Sequence, residues 1–138
     1  MLSTDVSAIE GVADALFLAI EHSDTEAIEA HFDTDIAVWH AGDRRDNDRS
    51  RALRVIRWFI DNSTERRYEI LDRQFFETGF VQQHMLHATG TNGAVMSLRV
   101  CIVIKLSENG LIGRIDECFD PADMTAFIQS DTTVTEIR

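Results

Sequence analysis

Residues 94–120, AVMSLRVCIVIKLSENGLIGRIDECFD, most constrain what this chain can fold into. They read as two long antiparallel strands joined at a tight turn on Asn109-Gly110, because an Asn-Gly pair between apolar runs supplies the two positive-φ residues of a type I′ hairpin. Strand alternation puts Leu98, Val100, Ile102, Ile104 and Leu106 on one face and Arg99, Cys101, Val103 and Lys105 on the other, so the first face is core. On the second strand Ile115, Glu117 and Phe119 share a face. Either Glu117 or its neighbour Asp116 must therefore be aimed at an apolar interior, and a carboxyl placed there is the first sign of chemistry.

Upstream, Val6, Ile9, Val12, Ala13, Leu16, Phe17 and Ile20 recur at helical spacing, which predicts a helix over about 4–22 with Ser3 or Thr4 as its cap. Ser23-Asp24-Thr25-Glu26 has the capping-box pattern and starts a short second helix to about His31. Ile36 to His40 is a β-like run, and Ser50 to Asn62 is a third helix with Leu53, Ile56 and Ile60 on one flank. Tyr68 to Glu77 and Phe80 to Thr89 are strands. Thr91-Asn92-Gly93-Ala94 repeats the hairpin signal, so three of the four long strands form a meander. Asp120 and Pro121 open a last short helix, Ala122 to Ile128, and the final ten residues carry no strong periodicity. Segregated helices and a curved antiparallel sheet make an α+β fold, with the first helix closing the concave side of the sheet.

With 138 residues, 44% of them hydrophobic, the chain suits one domain over 1–138 that buries a sizeable core without disulfides. Thirteen basic against twenty-four acidic residues give a formal charge of −11, which repels phosphate backbones and anionic headgroups and argues against nucleic-acid and membrane partners. The run LRVCIVIKL is too short to span a bilayer, and MLSTDVSAIE lacks the basic stretch of a signal peptide, so a cytoplasmic protein is expected. Cys101 and Cys118 lie on neighbouring strands and read as reduced thiols, not as a metal or redox motif. Val103 and Cys101, apolar between Arg99 and Lys105 on the outward face, point to a homodimer built across the sheet.

Three segments, FDTDIAVWH after the helical hairpin, GFVQQHMLHATGTNG, and the ending LIGRIDECFDPADMTAF, together resemble the SnoaL-like group of the nuclear transport factor 2-like superfamily, over about residues 8–128. The resemblance implies a cone-shaped α+β barrel, a curved antiparallel sheet closed by helices around a cavity. It also implies relatives that include isomerases, hydrolases, dehydratases, cyclases and plain binding domains. His40 falls where ketosteroid isomerase has its general-base aspartate, but that enzyme's oxyanion-hole acid falls near Ile102, and the only tyrosine, Tyr68, sits elsewhere. In limonene epoxide hydrolase the acid of the closing strand is matched by Glu117 or, shifted by one, by Asp116. That enzyme's Arg and Asp on an adjacent strand fall near Gln83 and Met85. SnoaL-type cyclases rely on a single carboxylate as general acid/base, and of the three requirements the resemblance implies this is the only one the sequence could meet as it stands.

His40 and Glu117 or Asp116 are therefore the candidate catalytic groups. Trp39, beside His40, is expected to wall an apolar ligand site, with Phe119 joining from the Glu117 face. On FVQQHMLHA one face carries Val81, Gln83, Met85 and His87 and the other Phe80, Gln82, His84 and Leu86. Hydrophobicity does not choose between them. The epoxide hydrolase comparison favours Gln83, Met85 and His87 as substrate-binding residues, whereas the QQH run resembles other SnoaL-like sequences with His84. Because His84 and His87 point to opposite faces they cannot share a metal, and His22 and His31 end predicted helices, where the helix dipole favours an imidazolium. No metal or cofactor is expected. Arg44, Arg45, Arg49, Arg51, Arg54 and Arg57 read as a solvated face neutralised by Asp43, Asp46 and Asp48.

These features predict a small-molecule enzyme acting on a mostly apolar ligand by general acid/base proton transfer, of the isomerase, hydratase or cyclase type. An inward acid in an apolar cone should have a raised pKa suited to that work. Departures from both reference sites favour the alternative, a non-catalytic ligand-binding or dimerisation domain of the same fold.

Overall fold

A computed structural model describes residues 5–125 of the chain. Three helices, α1 (Val6–Glu21), α2 (Thr25–His31) and α3 (Arg49–Asp61), pack with a sheet of five strands. The strands are β1 (Phe32–His40), β2 (Ser63–Phe76), β3 (Gly79–Gly90), β4 (Val95–Leu106) and β5 (Ile112–Cys118), and a 3₁₀ turn, Pro121–Met124, follows the last of them. Across the sheet the order is β1-β5-β4-β3-β2. Strands β2 to β5 form one antiparallel meander, and β1 adds to its end parallel to β5. The α+β architecture is the expected one, but the sheet is mixed and open, with β1 and β2 as its edges.

Both hairpin signals produce turns, though not the two-residue type expected from Asn-Gly. In each, an amide–carbonyl pair closes a three-residue loop: Ser107 N to Leu111 O at 2.7 Å and Gly90 N to Ala94 O at 2.7 Å. Only the glycines have positive φ, +83° at Gly110 and +85° at Gly93, so Asn109 and Asn92 are not left-handed. Their side chains instead accept the Leu111 and Ala94 amides at 3.0 Å. This is a type I turn closed by a left-handed glycine, in which asparagine serves as a side-chain acceptor.

The inward face of the meander is the core. Leu98, Val100, Ile102 and Ile104 of β4 are buried, as the alternation predicts, and so are Phe80, Gln82, His84, Leu86 and Ala88 of β3. Ile9, Ala13, Leu16, Phe17 and Ile20 of α1 form the helical side of the same cluster. Asp5 and Asp24 cap α1 and α2, in place of the Ser3 or Thr4 and Ser23 expected, and Ser23 is freed for another use. Strand β2 starts five residues before the predicted Tyr68. Its early Arg66 is buried and donates to the Ile20 carbonyl at 2.8 Å, to Ser63 Oγ and to Ser23 Oγ, tying the end of α1 to the sheet. A buried guanidinium is tolerable there because the helix end supplies otherwise unpaired carbonyls.

The closing segment is a 3₁₀ turn with Asp120 accepting the Ala122 amide at 3.0 Å. The remainder of the helix expected to Ile128, and the final ten residues, lie outside the described residues. Within the described residues no helix is long and apolar enough to cross a membrane.

Candidate active site

The parallel edge pairing builds the site. Strand β1 registers with β5 as Val38 with Ile115, Trp39 with Asp116 and His40 with Glu117. Paired residues share a face, so His40 and Glu117 project together on the side of Val38 and Ile115, both buried. His40 Nε2 lies 3.5 Å from Glu117 Oε1. On its other side Glu117 pairs with Ile102 of β4, which leaves the carboxyl between an imidazole and a hydrocarbon wall.

A turn after β1 supplies the partner that orients the imidazole. Asp43 N bonds the His40 carbonyl at 2.9 Å, and Gly42 between them has φ +96°, the left-handed position that a type II turn reserves for glycine. The turn swings Asp43 back onto His40, where Oδ2 accepts the His40 amide at 2.9 Å and faces His40 Nδ1 at 3.2 Å. Asn47 donates to the same oxygen at 2.8 Å and to the Val38 carbonyl at 3.0 Å. Burial pushes the Asp43 carboxyl up, but these amide bonds and the imidazole outweigh it and hold it below its ordinary value. An ionised Asp43 accepts only, so His40 presents Nδ1–H to it and turns Nε2 toward Glu117.

Glu117 moves in the opposite direction. Apolar walls push its carboxyl above the usual range, His40 pulls it back and Asp43 pushes it further. Two carboxylates beside one imidazole thus differ by environment: Asp43 is held toward its charged form and orients the ring, and Glu117 is pushed toward its neutral form beside Nε2 of His40.

These groups occupy one end of an apolar cavity of about 150 Å³. Leu16, Phe17 and Ile20 of α1, Ile56, Trp58 and Phe59 of α3, and Leu86, Leu98 and Ile102 of the sheet supply most of its wall, and Phe119 and Met124 follow from the closing segment. Tyr68 is a further lining residue. Its phenol is held in the neutral form, first by burial and then by the charges of Glu117 and Glu21.

The predicted residues separate cleanly by face. His40, Glu117 and Phe119 line the cavity; Asp116 and Trp39 do not. Asp116 pairs with Arg114 at 2.8 Å, a bond that lowers its pKa, and Trp39 donates its indole N–H to the Asp43 carbonyl at 2.9 Å. Strand alternation is the reason: residues adjacent to His40 and Glu117 must face the opposite side, so the indole at the wall is that of Trp58. On β3 the inward face is the one with His84. His87 bonds Glu69 and Ser97 on the outer side, Gln83 bonds Arg99 there, and Met85 shares that face. His84 is buried but not a lining residue; it sits behind the wall made by Phe17 and Tyr68, with ring centroids 5.5 and 5.0 Å away.

Asp43, Asn47 and Tyr68 are site residues that reading the sequence missed. The His40-Ala41-Gly42-Asp43 spacing is a usable signal for the first, since a glycine at the third turn position brings residues three apart together. Among the described residues no cluster of three or more His, Cys, Asp or Glu is arranged to hold a metal. Cys101 and Cys118 are free, cross-strand partners on the outer face.

No protein-family model matches the sequence, and no curated protein matches it. Solved structures do match over nearly the whole chain. An LEH-like epoxide hydrolase of M. tuberculosis has a TM-score of 0.71 at 16% identity, covering 94% of this chain and 95% of that one. The epoxide hydrolase/cyclase-like enzyme SalBIII, of pyran ring formation in the polyether salinomycin, has a TM-score of 0.75 at 14% identity, covering 87% and 96%. A protein described as a SnoaL-like polyketide cyclase from Shewanella denitrificans OS-217 has a TM-score of 0.70 at 15% identity, covering 88% and 97%.

Proposed function

From the fold of the SnoaL-like group within the nuclear transport factor 2-like superfamily, we propose that this chain is a cofactor-independent enzyme moving a proton within a compact, mostly apolar molecule. Neighbours of that fold described as cyclases, epoxide hydrolases and an isomerase support the general kind. The observation that carries the reading is the 3.5 Å approach of His40 Nε2 to a Glu117 whose pKa is raised, at the polar end of an apolar cavity. A cavity of about 150 Å³ is the size that holds benzene in an apolar protein core, so a ligand of about one ring is the right scale.

In the proposed step the substrate presents a carbonyl to Glu117 and the neighbouring C–H to His40. His40 Nε2 takes the proton from carbon, the C–H electron pair becomes a C=C bond, and the carbonyl oxygen takes the Glu117 proton, giving an enol. Where the substrate also carries a neighbouring C=C bond, so that the enol is a dienol, delivery of the His40 proton to its far carbon with return of the enol O–H proton to Glu117 completes an isomerisation. Attack of the enol carbon on a second carbonyl of the same molecule, with the enol O–H proton returning to Glu117 and the new alkoxide taking the proton held by His40, completes a cyclisation. Asp43 stabilises the imidazolium formed on the way, and the neutral Tyr68 phenol is available as a hydrogen-bond donor at the cavity wall.

Incubating the protein in D₂O with a panel of single-ring ketones tests this. Deuterium should enter next to the carbonyl in the parent and fall to background in Glu117→Gln, while that variant keeps its affinity for the same ketones. Ketones that bind the parent without exchange above background would remove the catalytic reading and leave a passive binding domain. The homodimer expected from the outer sheet face belongs to the same proposal, and light scattering that finds a concentration-independent monomer would remove it.

A further inference from the structure

The arginine-rich loop before α3 is not neutralised in the way its sequence suggests. Each of the three aspartates interleaved with it has another partner. Asp43 is held by His40 and Asn47, Asp46 pairs with Arg114 at 2.6 Å, and Asp48 caps α3 through the Arg51 amide at 2.9 Å. Arg49 is also committed, to the Glu29 and Phe32 carbonyls, and Arg57 to Glu29. Arg44 and Arg45 stay exposed, with no carboxylate partner among the described residues.

These two side chains and Arg51 line a depression of about 450 Å³ together with Gly42, Asp43 and Asn47. The single carboxylate in it, Asp43, has one oxygen already occupied by His40 and Asn47, so three guanidinium groups face one committed anion. The protein's overall charge of −11 does not cancel this local excess, because charges beyond a Debye length of about 8 Å are largely screened at physiological salt. Asp43 and Asn47 also line the apolar cavity, so the two spaces share a wall. Through that wall runs an unbroken polar chain: Arg51 Nε to Asn47 Oδ1 at 2.8 Å, Asn47 to Asp43 at 2.8 Å, and Asp43 to His40 Nδ1 at 3.2 Å.

We propose that this depression is an anion subsite, taking a phosphate or carboxylate group on Arg44, Arg45 and Arg51 beside the His40 end of the cavity. Guanidinium forks suit both oxyanions, and charge-assisted bonds to them are about twice as strong as neutral ones. The anion is either a free ion or the acidic end of the molecule whose apolar part fills the cavity. Only the second source rests on the function proposed above.

The test follows the backbone amides of Gly42, Arg44 and Arg45 by NMR in the parent and in an Arg44→Ala/Arg45→Ala variant, two exposed substitutions outside the acid/base pair. Inorganic phosphate is titrated against sodium chloride of equal ionic strength. Saturable shifts with a Kd near or below about 1 mM are expected, weakened about tenfold or more in the variant. In a second arm 4-phenylbutyrate is compared with 4-phenylbutanamide. If the anion belongs to the cavity ligand, the carboxylate binds the parent about tenfold more tightly than the amide, and the variant loses the difference. Equal binding of the two, with phosphate still saturating, assigns the subsite to a free anion. Failure of both ring compounds with phosphate saturating counts against an apolar single-ring ligand but leaves the subsite standing. Phosphate shifts that match chloride, together with no preference for the carboxylate, overturn the proposal.

Discussion

Two histidines project from the same face of the sheet and have opposite characters. His40 leans on a carboxylate at 3.2 Å and turns its other nitrogen to a cavity. His84 leans on an amide: Arg73 Nε donates to Gln82 Oε1 at 2.7 Å, which directs the Gln82 NH₂ to His84 Nδ1 at 2.8 Å. Its proton therefore sits on Nε2, which has no conventional hydrogen-bond partner among the described residues and lies among the rings of Phe17 and Tyr68. Burial, helped by the Arg73 charge, lowers its pKa to about 4. Orienting partner and access, not residue type, separate an imidazole that opens on a cavity from one that serves packing.

Breaking each histidine in turn gives the largest expected effects. His40→Ala should lower proton-transfer turnover by about 10²–10⁴-fold, the usual weight of a positioned acid/base group, while changing the stability measured in urea by less than about 1 kcal/mol. A variant that unfolds early with its turnover per folded molecule intact would reverse the assignment. His84→Ala should do the opposite. It empties a fully buried site and strands the Gln82 amide, and should destabilise by about 2–4 kcal/mol, measured in urea, with turnover within about tenfold of the parent.

Acid sharpens the contrast because the two regions titrate with opposite signs. His84 has a folded pKa below its unfolded value, so its contribution is fully present above about pH 6.5 and is lost as pH falls through about 4. That loss is on the order of 3 kcal/mol. Glu117 has a raised folded pKa, so its contribution is present below its unfolded pKa and is lost as pH rises through the folded one. Stability curves of the parent and His84→Gln should therefore be furthest apart above about pH 6.5 and converge as pH falls toward about 4, whereas Glu117→Gln, a neutral mimic of the protonated acid, should follow the parent in acid and gain on it as pH rises through the Glu117 pKa. Parallel curves in both cases would show that neither group is buried as described.

The legible parts of this molecule are those whose partners are near in sequence. Hairpin signals at Asn92-Gly93 and Asn109-Gly110 identify the meander, and alternation on β4 identifies its core face, because adjacent antiparallel strands inherit their register from the turn between them. The choice between Asp116 and Glu117 is open in the sequence because Arg114 and Asp116 share one face of the strand as Ile115, Glu117 and Phe119 share the other, and only the pairing of β5 with β4 and β1 shows which face meets the cavity. The parallel contact of β1 with β5 joins residues separated by most of the chain, and no turn announces it. Trp39 is misread for that reason: only the pairing shows that His40 faces inward and its neighbour outward. Buried Gln82 and His84 look polar and surface-like, and their placement depends on Arg73 reaching over from β2 to satisfy the amide.

The smallest expected effect comes from exchanging the orienting partners. Asp43→Asn removes the charge behind His40 while keeping a side chain that can still accept from Nδ1–H, so kcat should fall about tenfold with KM little changed. The same change removes a repulsion that raises Glu117, so Glu117 should give up its proton at lower pH. The mirror change, Gln82→Glu, gives His84 the kind of partner that His40 has. Arg73 keeps its acceptor, His84 Nδ1 becomes the donor, and the new carboxylate favours the imidazolium, so the His84 pKa should rise from about 4. Ring ¹⁵N shifts followed across the titration read both the proton's position and the pKa. Turnover should stay within about threefold of the parent, since His84 is walled off from the cavity by Phe17 and Tyr68. A His84 that remains neutral over the same range beside the introduced carboxylate would mean that burial alone, and not the choice of amide over carboxylate, makes the two histidines different.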